Sequence, residues 1–137
     1  MALARLDHVN IRTANLAKMV AFYEEVLGFV SGDRPPFGFP GAWLYCGQAA
    51  VVHLIGVPEQ PAPEGELRLE HFAFSASGLA GFLTVLRDRG EDYRISVVPG
   101  FQIIQVNIHD PDGNHIHVDF QPAEAAAVSD EPALEAV

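Results

Sequence analysis

LDHVNI at residues 6–11 returns as LEHFAF at residues 69–74, and AVVHLI at 50–55 has a counterpart in NHIHVDF at 114–120. Each opening run and each closing run carries a histidine. His8 and His71 are 63 residues apart and His53 and His117 are 64 apart, so four of the six histidines hold matching places in two halves. Neutral imidazole is the commonest metal ligand among side chains. A duplicated fold that gathers the four makes a metal site the first expectation.

The segments between these runs follow one order twice. Residues 6–13 alternate as a strand does, with Val9 and Ile11 on one face and His8, Asn10 and Arg12 on the other. A helix follows: Asn15 suits its N-cap, Leu16, Met19, Val20, Tyr23 and Leu27 form an apolar stripe, and Gly28 suits its stop. Residues 29–31, 42–46 and 49–55 read as strands, the last two parted by Gly47-Gln48. In the second half, 69–76 is a strand, Ser77 caps a helix striped by Leu79, Phe82, Leu83 and Leu86, and Gly90 ends it. Strands at 93–98, 101–109 and 115–120 complete the repeat, with Asp-Pro-Asp-Gly at 110–113 as the final turn.

The expected fold is therefore α+β: two tandem βαβββ modules, about 5–57 and 67–121, in a single domain over 1–121. A Pro-rich acidic connector, 58–66, joins them. Residues 122–137 are mostly Ala, Glu and Pro with few large apolar side chains, and a mobile tail is expected there.

Composition narrows the partners. With 137 residues, 49% of them hydrophobic, the chain has material for a real core. A net charge of −10 with only eight Lys and Arg lacks the basic footprint that phosphate backbones or anionic lipid require, so no nucleic acid or membrane partner is expected. No apolar run approaches the roughly 20 residues of a membrane span and no signal-like start is present, which points to a cytoplasmic protein. The single cysteine, Cys46, has no internal disulfide partner and, within AWLYC, is expected to be a small buried hydrophobe.

At LDHVNI, at the helix ending FYEEVLGF, at EHFAF and at DPDGNHIHV, the chain resembles the vicinal oxygen chelate superfamily. That superfamily groups glyoxalase I, extradiol dioxygenases, fosfomycin- and bleomycin-resistance proteins and methylmalonyl-CoA epimerase. The resemblance covers roughly residues 6–120; each motif is weak alone, and the four in order are specific. It implies curved mixed sheets that form a cleft and a divalent metal held by the first and last strand of each module. His8 and His71 match the first-strand ligands, and His53 and His117 match the last-strand positions.

The chain departs from its relatives where it matters for chemistry. Much of the superfamily has glutamate at the position of His117, and glyoxalase I has it at that of His53 as well. A carboxylate base near the metal contributes on the order of a hundred- to ten-thousand-fold to the isomerase reaction, so its absence counts against glyoxalase I proper. Imidazole ligands favour zinc, iron, nickel, manganese or copper over magnesium and calcium, which prefer oxygen.

Further residues are candidates for substrate contact. Asn10 and Arg12 share the His8 face, and Arg12 is suited to a carboxylate or phosphate, or else to water at the strand end. Gln105 and Asn107 are polar on an apolar strand and need a partner, either a ligand or a core hydrogen bond. Arg34 in the loop DRPPFGFP at 33–40, with Trp43 and Tyr45 beyond it, suits the rim of a small-molecule pocket or a dimer contact. His115 shares the parity of His117 but lies near the turn and reads as solvated. A positive mean hydropathy and the habit of relatives point to a homodimer. The functional expectation is a metal-dependent isomerase, lyase or dioxygenase acting on a small molecule with vicinal oxygens. The alternative is a metal-free drug-binding protein of the bleomycin-resistance type.

Overall fold

Eight strands form two four-stranded sheets in the computed structural model, which describes residues 1–2, 4–61 and 68–135. The chain divides into two units, Met1–Gly65 and Glu66–Val137, with one βαβββ module in each. The first holds β1 (Val9–Thr13), α1 (Leu16–Glu25), β2 (Val30–Gly32), β3 (Gly41–Cys46) and β4 (Ala49–Gly56), in the sheet order β1-β4-β3-β2. The second holds β5 (His71–Ser75), α2 (Leu79–Arg89), β6 (Arg94–Val97), β7 (Ile104–His109) and β8 (His115–Phe120), in the order β5-β8-β7-β6. First and last strands pair in parallel, β1 with β4 and β5 with β8, and the other pairs are antiparallel. The α+β architecture of two tandem modules is the one the sequence implies.

Side-chain alternation sorts each closing strand into an apolar and a polar face. In the first unit Val52 and Leu54 of β4 are buried with Met19, Phe22 and Tyr23 of α1, which turns His53 to the opposite side. In the second, Ile116, Val118 and Phe120 of β8 are buried with Leu79, Leu83 and Leu86 of α2, which turns His115, His117 and Asp119 to the opposite side. Each fully buried Leu, Ile or Phe contributes about 1.5–3 kcal/mol, so a one-residue slip that inverted the faces would be prohibitive.

The helix ends differ from expectation in an informative way. Gly90 ends α2 as read: at φ +68° its N–H donates to Arg87 O (3.1 Å), while Glu91 N–H donates to Leu86 O (2.9 Å), a Schellman closure that needs the left-handed residue. At the other end Ser77 is not the cap. Gly78 stands at the N-cap with no side chain to offer, and Oε1 of Glu124 accepts from Gly78 N–H (3.0 Å) and Leu79 N–H (2.8 Å).

Glu124 belongs to the segment expected to be a mobile tail, and that expectation is corrected as far as Glu135. Pro122–Val128 is a 3-10 helix with Val128 buried. Beyond it Ile95 N–H donates to Ala133 O (2.9 Å) and Glu135 N–H to Ile95 O (2.8 Å), so the segment runs beside β6. Glu131 accepts from Tyr93 Oη (2.8 Å) and Arg87 Nη1 (3.0 Å). Backbone and carboxylates hold this segment, which is why its scarcity of large apolar residues misled. Residues 136–137, and 62–66 of the expected connector, lie outside the described residues. Cys46 is also corrected: it ends β3 at the Gly47-Gln48 turn and is exposed. Among the described residues no helix is long and apolar enough to cross a membrane.

Candidate metal centre

Strand register lays the polar face of the second unit out in rows. His71 of β5 is opposite His115 of β8, which is opposite His109 of β7; the next row is Ala73, His117 and Asn107, and the next Ser75, Asp119 and Gln105. The rings of His71 and His117 stack at 4.1 Å between centroids, 12° from parallel. His115 meets both edge-on, 5.5 Å from His71 and 4.7 Å from His117, and His109 stacks on it at 5.1 Å. One ligand nitrogen from each of His71, His115 and His117 lies within 4.8 Å of the others. Two zinc-bound nitrogens at 2.0–2.1 Å are roughly 3.3 Å apart, so the three rings stand within reach of one ion but would draw closer to share it.

His117 is the most telling of the three. It is 9% exposed, and its Nδ1 is buried with no hydrogen-bond partner among the described residues. Burial, reinforced by the nearby charges of His71 and His115, pushes its pKa from 6.5 down to about 4. The ring is therefore neutral at physiological pH, the state a ligand requires. His71 Nδ1 donates to Glu70, which leaves Nε2 as its lone-pair nitrogen. Oε1 of Glu70 also lies 3.2 Å from His115 Nδ1, and the two imidazoles beside it hold the Glu70 pKa below its usual value. His115 Nε2 donates to Asn107 Oδ1 (3.0 Å), and the Asn107 amide donates to Ser96 Oγ (3.2 Å) and Gln105 O (3.2 Å). Asn107 is thus fixed as a holder of His115. Gln105 hydrogen-bonds Asp119, whose pKa burial raises and whose Oδ1 is buried without a partner among the described residues.

The first unit repeats the pairing with different neighbours. His8 stacks on His53 at 3.8 Å and 10°, and Trp43 stacks on the other face of His53 at 4.0 Å and 13°. Across the sheet His53 stands between Asn10 and Trp43. His8 Nδ1 donates to Asp7 Oδ2 (2.7 Å), as His71 does to Glu70, and His53 Nε2 donates to Ala50 O (3.0 Å), leaving Nδ1 as its acceptor nitrogen. Burial, then the charge of His8, pushes the His53 pKa down.

Asn10, Arg34, Trp43 and His53 line a cavity of about 100 Å3 with Phe37 and Phe39. That is below the roughly 300 Å3 of a drug-sized pocket, so it suits one small group of a ligand. The Arg34 guanidinium lies over Phe37 (4.9 Å) and Phe39 (5.2 Å) and donates to Phe39 O (3.1 Å). A Cβ at Gly41 would clash first with the backbone carbonyl oxygen of Leu54 and then with the Arg34 guanidinium, so the close approach of the neighbouring strand requires glycine there.

The structure thus brings His8 to His53 and His71 to His117, each within its own unit. Asn10, Arg34 and Trp43 gather beside His53, and Gln105 and Asn107 share the His117 face. Arg12 is exposed at the end of β1, outside that cavity, and Tyr45 points its hydroxyl to Asp33 O (2.6 Å). Residue-by-residue reading missed Asp7, Glu70 and Asp119, and read His115 as solvated. The signal for His115 was available: His-x-His on a strand puts both rings on one face.

A sheet built first-last-third-second against one helix, made twice, is the fold of glyoxalase-type structures. A glyoxalase family protein from Bacillus anthracis superposes with a TM-score of 0.71 at 22% identity, covering 88% of this chain and 98% of its own. Lactoylglutathione lyase from Agrobacterium tumefaciens does so with a TM-score of 0.66 at 20% identity over 90% and 98%. The chain belongs to the Glyoxalase/Bleomycin resistance protein/Dioxygenase superfamily, whose model matches residues 5–118. It is 31% identical over 123 residues to Glyoxylase I 4 of Arabidopsis thaliana, spanning 85% of this chain and 70% of that protein.

Proposed function

We propose that the protein is a metal-dependent enzyme acting on a small molecule whose vicinal oxygens bind the metal, with imidazole ligands supplied by His71 and His117 in the second unit and by His8 and His53 in the first, each pair within its own unit. The observation that carries this reading is the buried, unpartnered Nδ1 of His117 on a ring kept neutral by its surroundings. A buried polar atom without a partner costs about 1–3 kcal/mol, and a metal ion is a partner that recovers it. The donor set fits zinc, iron, nickel, manganese or copper. Such a metal, when bound, supplies Lewis acidity that polarises a carbonyl and steadies an enolate.

The residues around it have definite tasks. Asp7 and Glu70 each hold Nδ1 of a first-strand histidine and so aim its Nε2. Trp43 packs against His53, and Arg34 offers a cation to an anionic substituent beside it. Since no glutamate occupies the two last-strand positions, an isomerase or lyase reaction without a glutamate base at those positions, or ring-opening oxygenation, fits better than glyoxalase I chemistry. Membership of this superfamily and the fold of the lactoylglutathione lyase leave all three reactions to assay.

The aromatic cavity of the first unit, with Arg34 beside it, favours one other reading, a protein that holds a small anionic group of a drug there without turning the drug over. Metal analysis of tag-free protein separates the two. The enzyme reading expects about one metal per site and a loss of stability with chelator. Metal-free protein indifferent to chelator refutes it. Catechols, fosfomycin and the methylglyoxal–glutathione adduct, each with several metals, are the first substrates to screen.

A further inference from the structure

The two units are not equal as ligand donors. Two residues before His53 stands Val51, whereas two residues before His117 stands His115, which pairs across the sheet with His71. Only the second unit therefore has a third imidazole next to its stacked pair, and this His115 ring stands 4.7 Å from His117.

We infer that the second unit holds a transition metal by three histidines of its own, His71, His115 and His117, with His115 the ligand that the pairing of first and last strands does not foretell. This deepens the metal-dependent reading above and rests on it. Three observations support the third ligand. One nitrogen from each ring falls within 4.8 Å of the others. His117 Nδ1 is buried and lacks a partner among the described residues. The third is the way His115 is held. Its Nε2 donates to Asn107 Oδ1, and Asn107 is 4% exposed and donates to Ser96 and Gln105, so that contact is fixed. Its Nδ1 faces the exposed Glu70 carboxylate at 3.2 Å, the longer and more solvated of its two contacts. Ligating imidazoles typically donate their second nitrogen to an amide, carbonyl or carboxylate. With Nε2 on Asn107, Nδ1 of His115 is the nitrogen left for the metal, and Glu70 keeps its bond to His71. Three protein imidazoles leave coordination positions for two vicinal substrate oxygens.

The test is zinc titration calorimetry on the full-length, chelator-stripped, tag-free chain, with X-ray absorption counting imidazoles in the zinc-loaded protein. The His8→Ala/His53→Ala double variant is expected to retain zinc. His115→Ala is expected to weaken zinc binding on the order of tenfold or more, and His115→Gln, which keeps a donor toward Asn107, is expected to do the same. Circular dichroism verifies that each variant is folded. In the double-variant background the count should be three imidazoles and should fall to two with His115→Gln. Wild-type affinity and an unchanged count in both His115 variants overturn the inference and leave the metal reading standing. Loss of zinc from the His8/His53 double variant overturns it too, because three ligands would not suffice. A wild-type chain that takes up no zinc, nickel, iron, manganese or copper overturns both.

Discussion

Lowering the pH should unload the stability that His117 contributes as a neutral ring, and the size of the effect follows from its surroundings. In the unfolded chain an imidazole takes up a proton near 6.5; in the folded chain burial and the charges of His71 and His115 defer this to about 4. A group with a depressed folded pKa gives stability that is present in full above 6.5. That stability is lost as the pH falls toward 4, because the unfolded state binds the proton first. At 1.36 kcal/mol per pH unit the gap corresponds to about 3 kcal/mol. The assay is urea unfolding of metal-free protein followed by circular dichroism at several pH values between 7.5 and 4, for wild type and His117→Gln. Carboxylates titrate alike in both, so the difference between the two curves isolates this ring. The wild type should lose about 3 kcal/mol more than the variant across the range, with the steepest divergence about 1.2 kcal/mol per pH unit near pH 5. Parallel curves would mean that His117 is freely hydrated, and the argument for a ligand poised in its neutral form would go with them.

Two further perturbations probe the same unit. Glu124→Ala removes the acceptor shared by Gly78 N–H and Leu79 N–H at the start of α2 and should cost about 0.5–2 kcal/mol in urea unfolding, whereas Ser77→Ala should stay within about 0.5 kcal/mol; equal effects would refute the cap assignment. Asp119→Asn should raise stability at pH 7, since burial disfavours the charge there. The raised pKa means that this advantage shrinks as the pH falls through the carboxylate range, and a variant less stable than wild type at pH 7 contradicts the account.

Most of the fold was legible because it is written twice. Alternation around Val52, His53 and Leu54 and around Ile116, His117 and Val118 announced both the strands and the face each histidine takes. The repeat matched His8 with His71 and His53 with His117 as counterparts, and within each unit the structure stacks His8 on His53 and His71 on His117. What stayed hidden depends on single long-range contacts without periodicity. Nothing local marks Glu124 as the cap of a helix that begins at Leu79, or Glu131 as the partner of Tyr93 and Arg87. His115 was misread for a different reason. Its closeness to the turn suggested water, but β8 begins at that residue, so its ring already lies in the row with His71 and His109. Asn107, a polar residue on an apolar strand, needed a ligand or a core hydrogen bond as its partner, and the structure supplies a hydrogen bond from His115.

The carboxylate that orients each first-strand histidine is its immediate predecessor in the chain, Asp7 for His8 and Glu70 for His71. In a regular strand neighbours point to opposite sides, but β1 begins at Val9 and β5 at His71, so both acids precede the pleat and are free to turn back onto the ring. Imidazole and orienting carboxylate thus travel as a dipeptide that needs no tertiary contact to find its partner. A duplication that copies the strand copies the aimed imidazole with it, whole and already oriented. The two halves of this chain were then free to diverge elsewhere, to Trp43 beside one last-strand histidine and Asn107 beside the other, without either first-strand histidine losing its direction.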